Sequence, residues 1–338
     1  MQIKVSNFLG SFPRIHKTKL KDTAAEKALN VDVTSGVLRP FYALPIKQKL
    51  NEIGSETKSI AFYKFPEKEG FFQFKDYVDI CYSPIADDQY RRVYWSGDSR
   101  DNGHLLYSYT PNLTNGINHN PQTWYRVGIP APTQGPMVSS HTTTYTEEER
   151  EELSDEARIY VYTYVSETGE ESAPSPASAA VFMPHDKGTA TITNLIIDTT
   201  ASQGRLIKHK RIYRSLTDSS GNADLYFVGQ VVAAEAQFVD NLDGSDVNTS
   251  DPLPTLTWDE PRTGMQGINV TPNGVNYAFT GKIACFSQPY HPYAWPRDYE
   301  LTMQYDIVAM GHYENYILCA TTGTPYLISG IDPASTTI

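Results

Sequence analysis

Residues 158–165 read RIYVYTYV, and such a run sends alternate side chains to opposite faces of an extended chain. Four more strand-like segments follow after the turn ETGEESAPSP: TATITNL (189–195), KHKRIYRSL (208–216), LYFVGQVV (225–232) and AQFVDN (236–241). Two packed sheets need this pattern, because every second side chain must enter the shared core. We therefore expect a β-sandwich over residues 157–243.

The residues before this region predict a short helix and then antiparallel strands. Asp22 can cap a helix over Thr23–Leu29, and Val31–Leu38 alternates and turns on a glycine, as a hairpin does. Further strands are predicted at 59–65, 70–74, 77–82, 92–95 and 124–129. Residues 1–145 are thus predicted to form a helix, a hairpin and the first part of a β-platform.

An acidic run, TEEEREELSDE, occupies residues 146–156. Thr146 and Glu149 have the spacing of a capping box, and the negative charges favour a helix N-terminus. We interpret this run as a solvated helical linker; the alternative is a cation-binding patch.

Residues 255–338 contain two similar segments, 274–287 (GVNYAFTGKIACFS) and 314–329 (ENYILCATTGTPYLIS). Each has an asparagine before a strand, then a glycine turn and a second strand. Repeated hairpins of this kind are typical of propeller blades. The chain as a whole is rich in Tyr, Phe, Gly and Pro, which favours an all-β fold.

The composition argues against several classes of function. The 28 basic and 39 acidic residues give a net charge of −11, which opposes tight binding to phosphate backbones. The three cysteines, Cys81, Cys285 and Cys319, lie far apart and suit neither a disulfide framework nor a zinc knuckle. No apolar stretch is long enough to span a bilayer, so we expect no membrane insertion.

Few residues have a pattern that points to chemistry. Asp240, Asp243, Asp246 and Asp251 crowd one loop as oxygen ligands of calcium would, but they do not follow the EF-hand order, and a solvated turn is the alternative. Asp259 and Glu260 are adjacent carboxylates. Whether such a pair could cleave a sugar depends on the distance between the two carboxyl groups in space.

The aromatic string Tyr290, Tyr293 and Trp295 suits either stacking on sugars or bases, or a packing corner braced by prolines. Cys285 has no nearby histidine with an evident orienting partner, so we interpret it as a buried structural thiol. The sequence therefore predicts no catalytic, cofactor-binding or metal-binding residue, and no enzymatic activity.

Several strings together resemble one family. They are FPRIHKTKLKDTAAEKALNVDVTSGVLRPF (12–41), DICYSPIADDQYRRVYWSGD (79–98), YRVGIPAP (125–132) and the segment from Cys285 to Ser335. They are similar to a structural tail protein of bacteriophages, with a layout like that of the tail nozzle, or tail tubular protein B, of short-tailed phages. The YVSETGEESAPSP and RIYRS strings within 157–243 also resemble a fibronectin type III or immunoglobulin-like module.

This resemblance implies a propeller-like antiparallel platform interrupted by the sandwich as an insertion. It also implies a virion protein, made in the bacterial host cytoplasm, that assembles as a homohexameric ring around the DNA exit channel. Its neighbours would be adaptor and fibre proteins, and viral DNA would pass through transiently, repelled by an acidic lumen.

Two other functions are compatible with the sequence. The chain could be a receptor-binding or fibre-anchoring tail protein whose sandwich contacts a host glycan, or a tail-associated glycan hydrolase. A ring of six, a trimer with a long shaft, and sugar release from host envelope would distinguish the three.

Overall fold

The residues described in this computed structural model are 7–32, 39–40, 57–67, 69–110, 123–142, 146–148, 155–184, 188–217, 223–330 and 332–337. The chain is 43% strand and 8% helix, which confirms the predicted all-β class. It divides into two compact units, Met1–Leu50 and Asn51–Ile338. None of the helices in the described ranges is long and apolar enough to cross a membrane.

The strands are short and numerous. They are β1 Gly10–Ser11, β2 Ala24–Ala25, β3 Val31–Asp32, β4 Arg39–Pro40, β5 Ser59–Lys64, β6 Glu69–Phe74, β7 Asp79–Tyr82, β8 Val93–Ser96, β9 Leu106–Ser108, β10 Tyr125–Arg126, β11 Met137–Thr142, β12 Asp155–Arg158, β13 Tyr160–Ser166, β14 Val181–Pro184, β15 Gly188–Thr193, β16 Ile207–Thr217, β17 Ala223–Val232, β18 Phe238–Asp240, β19 Gln266–Val270, β20 Asn276–Thr280, β21 Ile283–Phe286, β22 Leu301–Thr302, β23 Ile307–Tyr313, β24 Tyr316–Thr321 and β25 Tyr326–Ser329. The α-helices that lie wholly within the described residues are α1 Thr199–Ser202 and α2 Gly244–Asn248, with 3-10 turns at Lys17–Lys19, Ser99–Asp101, Arg297–Tyr299 and Pro333–Ser335.

The first unit corrects one prediction. The expected helix at Thr23–Leu29 is wrong: Ala24–Ala25 is β2, which pairs in parallel with β1. The N–H groups of Leu9 and Phe12 donate to carbonyls of this segment, at 2.8 Å each. A seven-residue helix is marginal in water, and strand pairing satisfies the same backbone groups. Of the predicted hairpin Val31–Leu38, Val31–Asp32 forms β3, which pairs with β4 just after the predicted range, while residues 33–38 lie outside the described part.

The second unit contains a stack of antiparallel layers. In order, these are the hairpin β5–β6, the sheet β10-β9-β8-β7, the sheet β19-β20-β21-β22 and the sheet β23-β24-β25. The central strands of the two middle sheets, β8, β9, β20 and β21, are buried on both faces. Val93 and Trp95 of β8 pack toward β5–β6, while Tyr94 between them packs toward β19–β22. Alternation along one strand thus serves two cores.

The third and fourth layers follow the same rule. Ala278 and Cys285 face β7–β10, and Tyr277 and Phe279 face β23–β25. The core between the second and third layers joins residues far apart in sequence: Cys81, Tyr94, Leu105, Tyr107 and Val127 with Met265, Ile268, Ala278, Cys285 and Trp295. The stack is therefore continuous in space although its sequence is interrupted.

Strands β11 to β18 form the interruption, which we call the two-sheet unit. One sheet has the order β11-β15-β18, the other β13-β16-β17, and β12 pairs with β14. Tyr160, Tyr162 and Tyr164 of β13 enter a core shared with Ala190 and Ile192 of β15. The alternation of residues 158–165 thus has the predicted packing role. Strand β11 lies upstream of residue 157 and pairs with β15 along its whole length, so this sheet includes residues from before the acidic run.

The acidic run is helical only in part. Glu147 and Glu148 are helical, but Asp155 and Glu156 belong to β12, contrary to the predicted linker helix over 146–156; residues 149–154 lie outside the description. Contacts of Arg158 explain why Asp155–Arg158 forms strand β12 here. Its buried guanidinium pairs with Glu156 and donates to the carbonyl of Gly188, which fixes β12 against β15 within the two-sheet unit.

Gly97, directly after β8, tests how closely two backbone segments of the stack approach each other. Its φ is +86°, and a Cβ there would lie 2.3 Å from the carbonyl oxygen of Tyr77, a backbone atom. Gly97→Ala should therefore lower the free energy of unfolding by more than about 2 kcal/mol, measured by urea denaturation. Gly281→Ala is the matched control, because φ is +55° there and nothing lies within 4 Å. Equal losses at the two positions would contradict the predicted clash.

Candidate functional site

The proposed calcium loop is built around a buried ion pair. Asp240 is fully buried, and its Oδ2 lies 2.8 Å from Nη1 of Arg214, also fully buried. The same carboxylate accepts hydrogen bonds from the Tyr160 hydroxyl at 2.8 Å and from the N–H of Leu242 at 3.0 Å. Asp240 is therefore engaged inside the two-sheet unit rather than available to a cation.

The other loop carboxylates have different environments. Asp243 is the N-cap of α2 and accepts from the N–H of Asp246 at 2.9 Å and the Ser245 hydroxyl at 2.7 Å. Asp246 and Asp251 are exposed. Within the described ranges, no group of three or more His, Cys, Asp or Glu side chains could hold a metal ion. The ion pair with Arg214 accounts for Asp240, and the capping role accounts for Asp243.

The remaining sequence candidates lie in packed positions. Asp259 accepts from the N–H of Arg297 at 3.3 Å, and Glu260 is half-buried with its pKa raised by burial. Trp295 is buried, and its Nε1–H donates to the carbonyl of Pro292 at 2.8 Å. Tyr293 packs edge-on against Trp258, while Tyr290 is about half exposed. These contacts favour the packing-corner interpretation of the aromatic string.

The three cysteines are buried and free. Burial raises the pKa of the Cys81 and Cys285 thiols to about 12, and it also raises the pKa of Cys319. The reactive form of cysteine is the thiolate, which such values suppress at neutral pH. All three thiols therefore behave as packing groups.

Sequence analysis missed a polar joint between the two-sheet unit and the stack. The turn 166–171 of the two-sheet unit meets the loop before β8 and strand β9: the hydroxyl of Tyr90 donates to the carbonyl of Glu167 at 2.9 Å, and the Tyr107 hydroxyl lies 3.2 Å from Oγ1 of Thr168. The second contact is made by loop 203–205, where the N–H of Arg126 donates to the carbonyl of Gly204 at 2.8 Å. We call these residues the joint.

Glu170 is the buried carboxyl of the joint. It is 1% exposed, and its Oε1 has no hydrogen-bond partner among the described residues. Burial raises the pKa of Glu170 to about 7, although the Arg92 and Arg205 charges and the N–H of Gly128 oppose the shift. Because the sequence shows this residue only as part of a turn, nothing in its pattern signals burial.

Two apolar sheet faces lie at the ends of the stack. On the outer face of β23–β25, Tyr316, Leu318 and Leu327 are 46%, 57% and 52% exposed. On the outer face of β5–β6, Ile60 is 54% and Phe62 40% exposed. These large apolar side chains are aligned on sheet faces rather than scattered, which is typical of surfaces that contact other proteins.

Comparison with known proteins adds no relative: the sequence matches no protein-family model and no curated protein.

Glu170 gives the joint a testable pH dependence. Its folded pKa of about 7 lies above the ordinary value of 4.5, so folding takes up a proton between these values. Its stabilising contribution is present at low pH and is lost as the pH rises through 7. From pH 5 to 8, the wild type should therefore lose about 2–3 kcal/mol of unfolding free energy relative to Glu170→Gln.

Urea denaturation across this pH range measures the difference. Glu167→Gln, an exposed glutamate in the same turn, is the control and should run parallel to the wild type. Parallel curves for the wild type and Glu170→Gln would show that Glu170 does not titrate in this range.

Proposed function

We propose that this chain is a structural component of a bacteriophage tail, a subunit of the nozzle or tail-tube ring that surrounds the DNA exit channel. The observation that carries the proposal is the stack of face-to-face antiparallel sheets with apolar side chains exposed at both ends. Such a stack is rigid, because each middle sheet is fixed by packing on both faces. Its end faces suit assembly with other subunits rather than turnover of a small molecule.

The stack supports a propeller-like platform. Four layers follow one another in space, and each middle layer is a meander of neighbouring antiparallel strands. Propeller blades are four-stranded sheets of this kind. The two-sheet unit lies in the sequence between the second and third layers, which supports a platform with an insertion.

The two-sheet unit supports an immunoglobulin-like or fibronectin III-like sandwich. In immunoglobulin domains, strands C, F and G form one sheet and strands B and E pair in the other. The order β13-β16-β17 and the pairing of β11 with β15 fit this arrangement. Strand β18 departs from it, because β18 follows β17 in sequence and yet pairs with β15.

The polar groups also suit a scaffold without catalytic activity. Asp240, Glu171 and Arg158 are buried and engaged in hydrogen bonds or ion pairs between strands. The net charge of −11 suits a channel wall past which DNA slides without adhering. In this proposal the chain forms a hexameric ring in the virion, with adaptor and fibre proteins as neighbours.

Electron microscopy tests the proposal. The purified chain should form rings, sixfold in projection, with a central channel. Antibodies raised against it should label the tail of particles of the phage that encodes it. A trimer with a long shaft would favour the fibre-anchoring function, and sugar release from host envelope would indicate a hydrolase. Particles without label on the tail would refute a tail role.

A further inference from the structure

The last two layers of the stack are structural equivalents. Equivalent positions pair across the two strands of each hairpin. In β20–β21, Tyr277 pairs with Phe286, Ala278 with Cys285 and Phe279 with Ala284. In β24–β25, Tyr316 pairs with Ser329, Ile317 with Ile328 and Leu318 with Leu327. This equivalence matches the sequence similarity of segments 274–287 and 314–329, each with an asparagine directly before its tyrosine.

The inner faces of the two hairpins have the same role. Ala278 and Cys285 pack onto the preceding layer, β7–β10, and their equivalents Ile317 and Ile328 pack onto β19–β22. Each hairpin therefore uses the same positions to contact the layer before it.

The outer faces are also equivalent, but only one is covered. Tyr277, Phe279 and Ala284 are buried beneath β23–β25. Their equivalents Tyr316, Leu318 and Leu327 are about half exposed. The outer face of β23–β25 therefore has the side chains and register of a surface that carries another antiparallel layer.

The opposite end of the stack has a matching surface. Tyr63 and Phe72 of β5–β6 pack inward against Trp95, whereas Ile60, Phe62 and Phe71 lie on the outer face. The rings of Phe62 and Phe71 are 5.0 Å apart, which makes a continuous apolar patch across the hairpin.

We propose that the outer face of β23–β25 binds the outer face of β5–β6 of a second copy of this chain. The contact continues the series of sheet-on-sheet interfaces inside the stack, at the ordinary separation of about 10 Å between packed sheets. It joins different surfaces of the two copies, so it is heterologous and closes into a ring or extends as a filament. This inference rests on the self-assembly in the proposed function and assigns its surfaces.

Two charge substitutions test the contact. Leu318→Glu blocks one face and Ile60→Glu the other, and each should weaken self-association of the full chain at least tenfold, measured by sedimentation velocity. Val239→Glu on β18 is the matched control, because Val239 is 47% exposed but lies outside the stack. It should self-associate like the wild type.

Mixing the two variants gives the sharper result. Leu318→Glu retains an intact β5–β6 face and Ile60→Glu an intact β23–β25 face. Equal amounts should therefore form a one-to-one dimer and nothing larger, although each variant alone is monomeric. A mixture that stays monomeric, or a variant that still dimerises alone, would overturn head-to-tail docking.

A cross-linking measurement keeps the test valid if the glutamate variants fold poorly. Ile60→Cys and Leu327→Cys, mixed and oxidised, should give a disulfide-linked dimer, and the native thiols are buried. Absence of this dimer, or a wild-type chain that is monomeric at tens of micromolar, would refute the inference.

If the wild type is monomeric but Leu318→Glu prevents its incorporation into particles, another tail protein covers the outer face of β23–β25. The inference then fails while the tail function stands.

Discussion

The fold depends on one constraint: the central strands of the two middle sheets, β8, β9, β20 and β21, must fill two cores at once. Val93, Tyr94 and Trp95 are consecutive residues of β8, and they pack alternately into the cores on either side. Most strands of antiparallel sheets bury one face and solvate the other. Here neither face is free, so large apolar or aromatic residues follow one another directly. A shift of register by one residue would exchange the two cores, which makes the pairing highly specific.

Polar groups hold the two-sheet unit against this stack. The joint combines hydrogen bonds made by the Tyr90 and Tyr107 hydroxyls and by the backbone N–H of Arg126 with a buried carboxyl, Glu170. Apolar contacts tolerate small rotations, whereas hydrogen bonds lose strength when their geometry changes. The polar joint therefore specifies the orientation of the insertion, and one ionisable group, Glu170, is buried within it.

The sequence predicted where the strands lie better than it predicted which strands pair with each other. Alternation in residues 158–165 identified a strand whose tyrosines enter one core, although the strand is buried on both faces and Val161 enters a second core. The two similar hairpins at 274–287 and 314–329 are equivalent layers. Strand β11 could not be assigned to the sandwich, because its partner β15 lies about fifty residues later and local pattern carries no information on long-range pairing. The helix expected after Asp22 was wrong for a related reason: β1 offered Ala24 and Ala25 a partner that capping signals do not reveal.

Of the polar candidates, the aspartates of the 240–251 loop were prominent because they are close in sequence. In the fold, Asp240 turns inward to Arg214 and Asp243 caps a helix. Glu170 was overlooked because its burial depends on β8 and β9, about seventy residues upstream.

The interrupted core has a consequence for synthesis on the ribosome. The face of β7–β10 that carries Tyr94, Tyr107 and Val127 is covered by Met265 and Ile268, which are translated only after the whole two-sheet unit. At roughly 5–20 residues per second, this delay is on the order of 10 s. During that interval the nascent chain presents this aromatic surface to solvent, and the emerging insertion has time to fold by itself before the surface is covered.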